Sequence, residues 1–114
     1  MFINFTNHTS KLWDKAQLEA AKEYGEIVDL GYPNVSPGST REEVYQLGEE
    51  YYRRIMEYQP SAVLCQGEYT LVCYLVGRLQ ESGVLVLAAC TQRSSYMVGN
   101  EKRSVFEFVQ FREY

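Results

Sequence analysis

Three short apolar runs in this chain each stop abruptly at a small polar cluster. Phe2–Phe5 leads into Thr6-Asn7-His8-Thr9-Ser10, Ala62–Cys65 leads into Gln66-Gly67-Glu68, and Val84–Cys90 leads into Thr91-Gln92-Arg93-Ser94. Ligands of open α/β sheets bind outside the carboxyl ends of the strands. If these runs are neighbouring parallel strands, the three polar clusters meet in one crevice.

Helical periodicity fills the segments between the apolar runs. Asp14 with Gln17, and Thr40 with Glu43, have the spacing of a capping box, which predicts where two helices begin. The sequence predicts three helices: one from Asp14 to about Tyr24, one from Thr40 to Pro60, and one over Tyr69–Glu81. The apolar residues on more than one side of the third helix predict that it is well covered.

The remaining elements follow from alternation and from turn residues. Glu26–Leu30 predicts a short strand, and the proline- and glycine-containing stretch Gly31–Ser39 predicts a loop. Val84–Cys90 is continuously apolar, as expected for a strand buried on both faces. Two further strands, Ser94–Val98 and Ser104–Phe111, flank a predicted hairpin turn.

Strict alternation along the final strand predicts an apolar residue set on each face. One face is expected to carry Val105, Val109 and Phe111, and the other Phe106 and Phe108. Both faces of this strand therefore need some cover.

Taken together, the order of elements is β-α-β-α-β-α-β followed by a last antiparallel strand. Right-handed crossovers turn this order into layers. We expect residues 1–114 to form a single Rossmann-like three-layer α/β domain, with a mainly parallel sheet and an antiparallel C-terminal edge strand.

The overall charge narrows the classes of ligand. The net charge is −4 at pH 7, which argues against sequence-independent binding of long nucleic acid because such binding needs a basic surface. A small anionic ligand held by a few local donors is still compatible with this charge.

Cysteine usage and hydropathy predict a cytoplasmic protein. Cys65, Cys73 and Cys90 are odd in number and contain no C-x-x-C pair, so we expect reduced core residues. No signal peptide is recognisable at the amino terminus, and no apolar stretch approaches the roughly 20 residues of a membrane span. A single histidine and no paired acidic motif predict neither a metal site nor a cofactor.

The first polar cluster holds the only histidine. His8 is a candidate for ligand binding or proton transfer, and the alternative is a loop residue that shapes the turn. Asn7, Thr9 and Ser10 are candidate ligand donors, with capping and turn formation as the alternative.

The second cluster lies where a strand meets a helix. Gly67 would let the backbone approach a ligand, and the helix beyond offers N–H groups to an anion. Gln66 and Glu68 are further candidates, although Glu68 near a helix amino terminus is equally a favourable dipole partner.

The third cluster carries a guanidinium, which matches phosphate oxygens in a bidentate way. We expect Arg93 to meet a phosphate, with Thr91, Gln92 and Ser94 as additional ligand-binding residues; the alternative pairs Arg93 with Glu68. Trp13 and Tyr96 are the candidates for stacking on a base, while the other tyrosines fit helical faces better.

The opening Phe2-Ile3-Asn4-Phe5-Thr6-Asn7-His8, the Gln66-Gly67-Glu68 turn and the ending Ser104–Tyr114 resemble small accessory proteins of type III CRISPR antiviral systems. Members of this group are similar to minimal Rossmann-like sensor domains, and are regarded as ring nucleases or as binders of cyclic oligoadenylate second messengers.

The resemblance implies an enzyme that cleaves cyclic oligoadenylate, such as cyclic tetra-adenylate, without a metal, and so ends the signal. His8 and Arg93 would then be catalytic, and a homodimer would match the symmetry of the ring. Two alternatives stay open: a binding module that sequesters the messenger without cutting it, and a small oligomerisation partner whose crevice is incidental.

Overall fold

Five strands and three α-helices alternate along the chain, and the computed structural model describes all of residues 1–114. A short 3₁₀ helix over Ser10–Leu12 follows the first strand. The elements are β1 (Phe2–Phe5), α1 (Lys15–Lys22), β2 (Ile27–Asp29), α2 (Arg41–Glu57), β3 (Ala62–Cys65), α3 (Tyr69–Glu81), β4 (Leu85–Val98) and β5 (Glu101–Glu113).

Side-chain caps fix where the helices begin. The Asp14 carboxylate accepts a hydrogen bond from the Gln17 N–H at 2.8 Å, which opens α1. At α2 the capping box is complete, because Thr40 accepts from the Glu43 N–H and the Glu43 side chain accepts from the Thr40 N–H. Both predicted helix starts are confirmed, since each cap satisfies N–H groups that lack an intrahelical partner.

The strands form one sheet in the order β2-β1-β3-β4-β5. The first four are parallel, with Phe2 opposite Ala62 and Ala62 opposite Leu85, whereas β5 runs antiparallel to β4. The predicted α/β layout, with a mainly parallel sheet and an antiparallel edge strand, is confirmed. The order reverses between β1 and β3, which is the place where open α/β sheets bind ligands.

Helices cover both faces of the sheet and give three layers. On one face, Phe2, Leu64 and Leu87 pack with Ala21 of α1. On the other face, buried sheet residues pack against Ile55 of α2 and against Leu71, Leu75 and Leu79 of α3; the sheet residues are Ile3, Phe5, Val63, Cys65 and Val86. We call these the α1 face and the α2/α3 face.

The last two strands are much longer than the sequence pattern predicts. The expected end of β4 at Cys90 is wrong, because the strand continues to Val98. Only Leu85–Leu87 pairs with β3. The segment of residues 91–108 is therefore a two-stranded ribbon that projects beyond the neighbouring strands, and we call it the arm. The predicted hairpin is confirmed, with a turn at Gly99 (φ +62°) and Asn100.

A β-bulge changes which side chains of β5 share a face. The pairs are Cys90 with Gln110 and Thr91 with Phe108, so Val109 is an extra residue. An extra residue shifts the alternation by one. Phe106 and Phe108 therefore lie on the same face as Phe111, and the predicted grouping of Phe111 with Val105 is wrong.

The three cysteines lie in three different environments. All are free, with Cys65 buried, Cys90 half-buried and Cys73 exposed. The prediction of core cysteines is wrong for Cys73, which lies on the outer side of α3. Burial raises the pKa of the Cys65 thiol to about 12. None of the helices has the length and hydropathy needed to cross a membrane.

Candidate functional site

The largest cleft lies at the carboxyl ends of β1 and β3, beside the middle of β4. Its volume is about 660 Å³, within the roughly 300–1,000 Å³ of small-molecule sites. His8, Gln66 and Thr91 line it, one from each of the three predicted polar clusters. We call it the main cleft. The convergence expected from the sequence is present at these three residues.

A smaller notch adjoins the main cleft at the point where the strand order reverses. It measures about 200 Å³ and is lined by Thr6, Asn7, His8, Gln66 and Gly67. His8 and Gln66 line both cavities. The β1 and β3 ends therefore form one polar rim that a ligand in either cavity would contact.

Asp29, at the end of β2, holds the loop that follows β1. Its carboxylate accepts hydrogen bonds from the buried Asn4 amide at 2.7 Å and from the Ser10 N–H at 3.0 Å. The hydroxyls of Thr9 and Ser10 also donate to it, at 3.1 and 2.8 Å. Thr9 and Ser10 thus fasten the loop instead of lining the cleft, and the loop presents Asn7 and His8.

These hydrogen bonds favour the ionised form of the Asp29 carboxyl. Desolvation acts to raise the pKa of its carboxyl, but the hydrogen bonds from Asn4, Ser10 and Thr9 outweigh that effect and hold the pKa below its usual value. Asp29 is a structural residue that the sequence analysis missed. Its signal was an acidic side chain in the strand that the topology places next to β1.

Gln66 joins β3 to β4 where their backbone pairing has ended. Its Oε1 accepts a hydrogen bond of 2.9 Å from the Ala89 N–H. That bond fixes the amide plane and identifies the other end, Nε2, as the donor that is available to the cleft. Gln66 therefore has both a structural contact and a free donor.

Glu68 caps α3 with its carboxylate. It accepts hydrogen bonds from the Thr70 N–H at 3.0 Å and the Leu71 N–H at 2.9 Å. The hydrogen bonds from Thr70, followed by that from Leu71, hold the pKa of Glu68 below its usual value. The helix N–H groups that were expected to receive an anion are thus already occupied by this carboxylate.

The third predicted cluster lies along the arm and not at a strand end, which changes the position of its side chains. Arg93 shares the α1 face with Thr91, two residues farther out, and donates to the Ser104 Oγ at 3.0 Å. Gln92 and Ser94 alternate onto the opposite face, as does Tyr96. Arg93 borders the main cleft without lining it, and the predicted ion pair with Glu68 is not formed.

Aromatic rings form the apolar wall of the main cleft. Trp13 comes from the segment before α1, while Phe106 and Phe108 come from the arm. The rings of Phe108 and Phe111 meet edge to face, with centroids 4.8 Å apart. Trp13 was predicted for such a position, whereas Phe106 and Phe108 were missed because the bulge was not recognised.

The fold and the cleft define an α/β protein with a candidate ligand site at the carboxyl edge of a sheet whose order reverses between β1 and β3. Residues 1–112 match the family described as Uncharacterized protein MJ1673 family, and the chain belongs to that family. No curated protein and no solved structure matches the chain.

Proposed function

We propose that this protein binds a cyclic oligoadenylate in the main cleft and cleaves it. The observation that supports this best is the composition of the cleft. His8, Gln66 and Thr91 bring an imidazole, an amide and a hydroxyl from the ends of β1 and β3 and from the middle of β4 to one cavity. Aromatic rings on the opposite wall offer stacking surfaces, as a ligand made of adenine bases and phosphates requires.

The apolar and polar walls of the main cleft would contact different parts of the ligand. Adenine rings stack on Trp13 and on the arm rings Phe106 and Phe108. The Gln66 Nε2 and the Asn7 amide donate to phosphate or ribose oxygens at the rim. The Arg93 guanidinium is exposed and only two residues beyond Thr91, so it can exchange Ser104 for a phosphate.

Cleavage needs no group beyond the ligand's own ribose as nucleophile. The 2′-oxygen attacks the adjacent phosphorus, the new P–O2′ bond forms and the P–O5′ bond breaks. His8 accepts the proton of the 2′-hydroxyl, and the 5′-oxygen takes a proton from solvent water as it leaves. The product is a linear oligoadenylate with a 2′,3′-cyclic phosphate. Arg93 stabilises the charge that develops on the phosphoryl oxygens.

One cleft of about 660 Å³ suits part of such a ring, because a ring of four nucleotides is larger than a typical drug-sized ligand. We therefore propose that each cleft of a homodimer binds one part of a ring, the rest of which extends beyond the cleft. The protein would act in the cytoplasm, where it would remove the messenger and end type III CRISPR antiviral signalling.

A second candidate function is sequestration without cleavage. The observation in its favour is that His8 and Asp14 are the only acid–base side chains that line the cleft, and the Asp14 carboxylate already accepts a hydrogen bond from the Gln17 N–H. Thr9, Ser10 and Glu68 are already bonded within the protein. A cleft with donors and stacking surfaces alone would hold the ring intact.

Incubation with cyclic tetra-adenylate in the presence of a chelator separates these functions. We expect a linear product with a 2′,3′-cyclic phosphate by chromatography, and its loss in His8→Ala. Complete recovery of intact ring together with tight binding by calorimetry would support sequestration. The absence of both binding heat and a thermal shift would reject both functions and favour the oligomerisation partner.

A further inference from the structure

The arm is the least covered part of the molecule. Beyond Leu87 the β3-facing edge of β4 has no strand beside it, and a lone two-stranded ribbon is at best marginally stable in water. The arm also lengthens the molecule to 51 Å, with a radius of gyration of 15.8 Å, against about 13 Å for a compact chain of similar length. We therefore expect another chain to pack against this ribbon and stabilise it.

Apolar side chains are exposed along both faces of the arm. Phe106 is 66% exposed and Met97 is 63% exposed on the α1 face. On the α2/α3 face, Tyr96, Val98 and Val105 are exposed as well. A contiguous apolar patch is typical of an interaction surface, whereas single exposed apolar residues are not.

We propose that the arm docks face to face on the arm of a second copy of this chain, antiparallel, with the two-fold axis at Val105. On the α2/α3 face, Arg103, Val105 and Glu107 follow one another in β5. An antiparallel two-fold at Val105 places each Arg103 opposite Glu107 of the other copy. The apolar Val105 lies between these two ion pairs, and Tyr96 lies beside Arg103 on the neighbouring strand.

The charge pattern selects a second copy over an unrelated partner. A two-fold interface requires a surface that is complementary to itself. Opposite charges at equal distances on either side of an apolar centre meet that requirement. Parallel arms would place Arg103 against Arg103 and Glu107 against Glu107, and like charges in contact cost binding energy.

Docking of the arms also bears on the main cleft. Thr91, Phe106 and Phe108 belong to the arm and form one wall of that cleft. A second copy that orders the arm therefore orders the wall, whichever ligand the cleft takes. The inference does not depend on the proposed cleavage of cyclic oligoadenylate, because its test uses no ligand.

Charge reversal tests the pairing directly, by sedimentation equilibrium of the full chain. Arg103→Glu alone and Glu107→Arg alone are each expected to raise the dimer dissociation constant about tenfold or more. The double variant R103E/E107R restores opposite charges across the axis and is expected to recover most of the affinity. Glu101 contacts Arg103 at 3.4 Å, so it repels the carboxylate that R103E introduces. This repulsion is the same in the single and the double variant. The difference between their dissociation constants therefore reports the effect of residue 107.

Cross-linking tests the position of the axis. In a Cys73→Ser background, Val105→Cys is expected to give a covalent dimer with a short bismaleimide. Val109→Cys is the control, because it is also exposed. Residues four positions from the axis lie about 27 Å apart in the dimer, which is too far for the reagent.

The outcomes are distinct. Loss of the dimer in both single variants, recovery in the double variant and cross-linking at residue 105 alone support the proposal. A monomeric wild-type chain overturns it and leaves the arm to a different partner. A wild-type dimer that tolerates both charge reversals, with circular dichroism showing that every variant is folded, also overturns it.

Discussion

Gly67 lies directly against the ring of Tyr32. A Cβ atom built on Gly67 would lie 2.6 Å from the Tyr32 Cε2. The ring cannot retreat easily, because its hydroxyl donates to the Glu68 carbonyl oxygen at 2.9 Å and its face packs on Phe5. The tight β3–α3 turn and the loop after β2 therefore fit together only when residue 67 has no side chain.

Replacement of Gly67 by alanine is expected to destabilise the protein by about 1–3 kcal/mol, the usual cost of overpacking. The measurement is urea unfolding followed by circular dichroism. Gly31→Ala is the matched control, since a Cβ there meets nothing within 4 Å. Equal stability of the two variants would show that Tyr32 moves aside freely.

Asp29 is expected to make the stability of the protein depend on pH. Its pKa is lowered in the folded protein, so its contribution is full above the unfolded pKa of about 3.9 and is lost as the pH falls through the folded pKa. At pH 6, Asp29→Asn is expected to be about 1 kcal/mol less stable than wild type, after allowance for solvent exposure. The gap should shrink toward pH 2 in thermal melts. Parallel pH profiles of the two proteins would contradict this role.

Gln66 allows its structural and ligand-binding roles to be separated. Gln66→Ala leaves the Ala89 N–H without its side-chain acceptor and is expected to cost about 1 kcal/mol. Gln66→Glu keeps an acceptor for Ala89 but replaces the Nε2 donor by a negative charge. We expect near-normal stability and weak binding of cyclic tetra-adenylate by calorimetry. Undiminished binding by Gln66→Glu would show that the Gln66 Nε2 does not contact the ligand.

His8 is expected to affect catalysis without affecting the fold. The loop uses its backbone, because the His8 carbonyl oxygen accepts hydrogen bonds from Asn4 and Thr6. His8→Ala should change stability by less than about 0.5 kcal/mol and slow cleavage by about 10²–10⁴-fold. Single-turnover rates and binding constants are the measurements. Equal losses in rate and affinity would identify a ligand contact instead of a proton acceptor.

Arg93 is expected to contribute to affinity from the border of the cleft. Its side chain is held only by Ser104 and by the face of Phe106, 6.0 Å from the ring centroid. Arg93→Ala should weaken ligand binding by about 1.5–3 kcal/mol, the value of a charge-assisted hydrogen bond. Arg112→Ala, which removes an exposed arginine from the neighbouring strand β5, is the control in the same titration. Unchanged affinity in Arg93→Ala would leave this residue with a structural role on the arm.

Local signals predicted most of the fold. The bounds of β3 and α3 follow from an apolar run and from the residues around Gly67 and Gly83, and the structure reproduces both. The caps at Asp14 and Thr40 were equally readable. These features depend on residues that are close together in the sequence, so a single sequence was enough to predict them.

The candidate site was only partly predictable, because tertiary contacts decide it. The polar cluster Thr91–Ser94 was expected at the end of a strand, but β5 pairs with it and extends the strand. Thr9 and Ser10 look like free donors until β2 brings Asp29 beside them. Convergence of strand ends could be inferred from the order of elements, whereas the partner of each side chain could not.

The extra residue at Val109 determines the direction in which the arm projects from the sheet. A bulge bends and twists the strand that carries it, and this bulge lies where β5 passes from the arm into the sheet. If two chains join through their arms, that bend determines how far apart and at what angle their clefts lie.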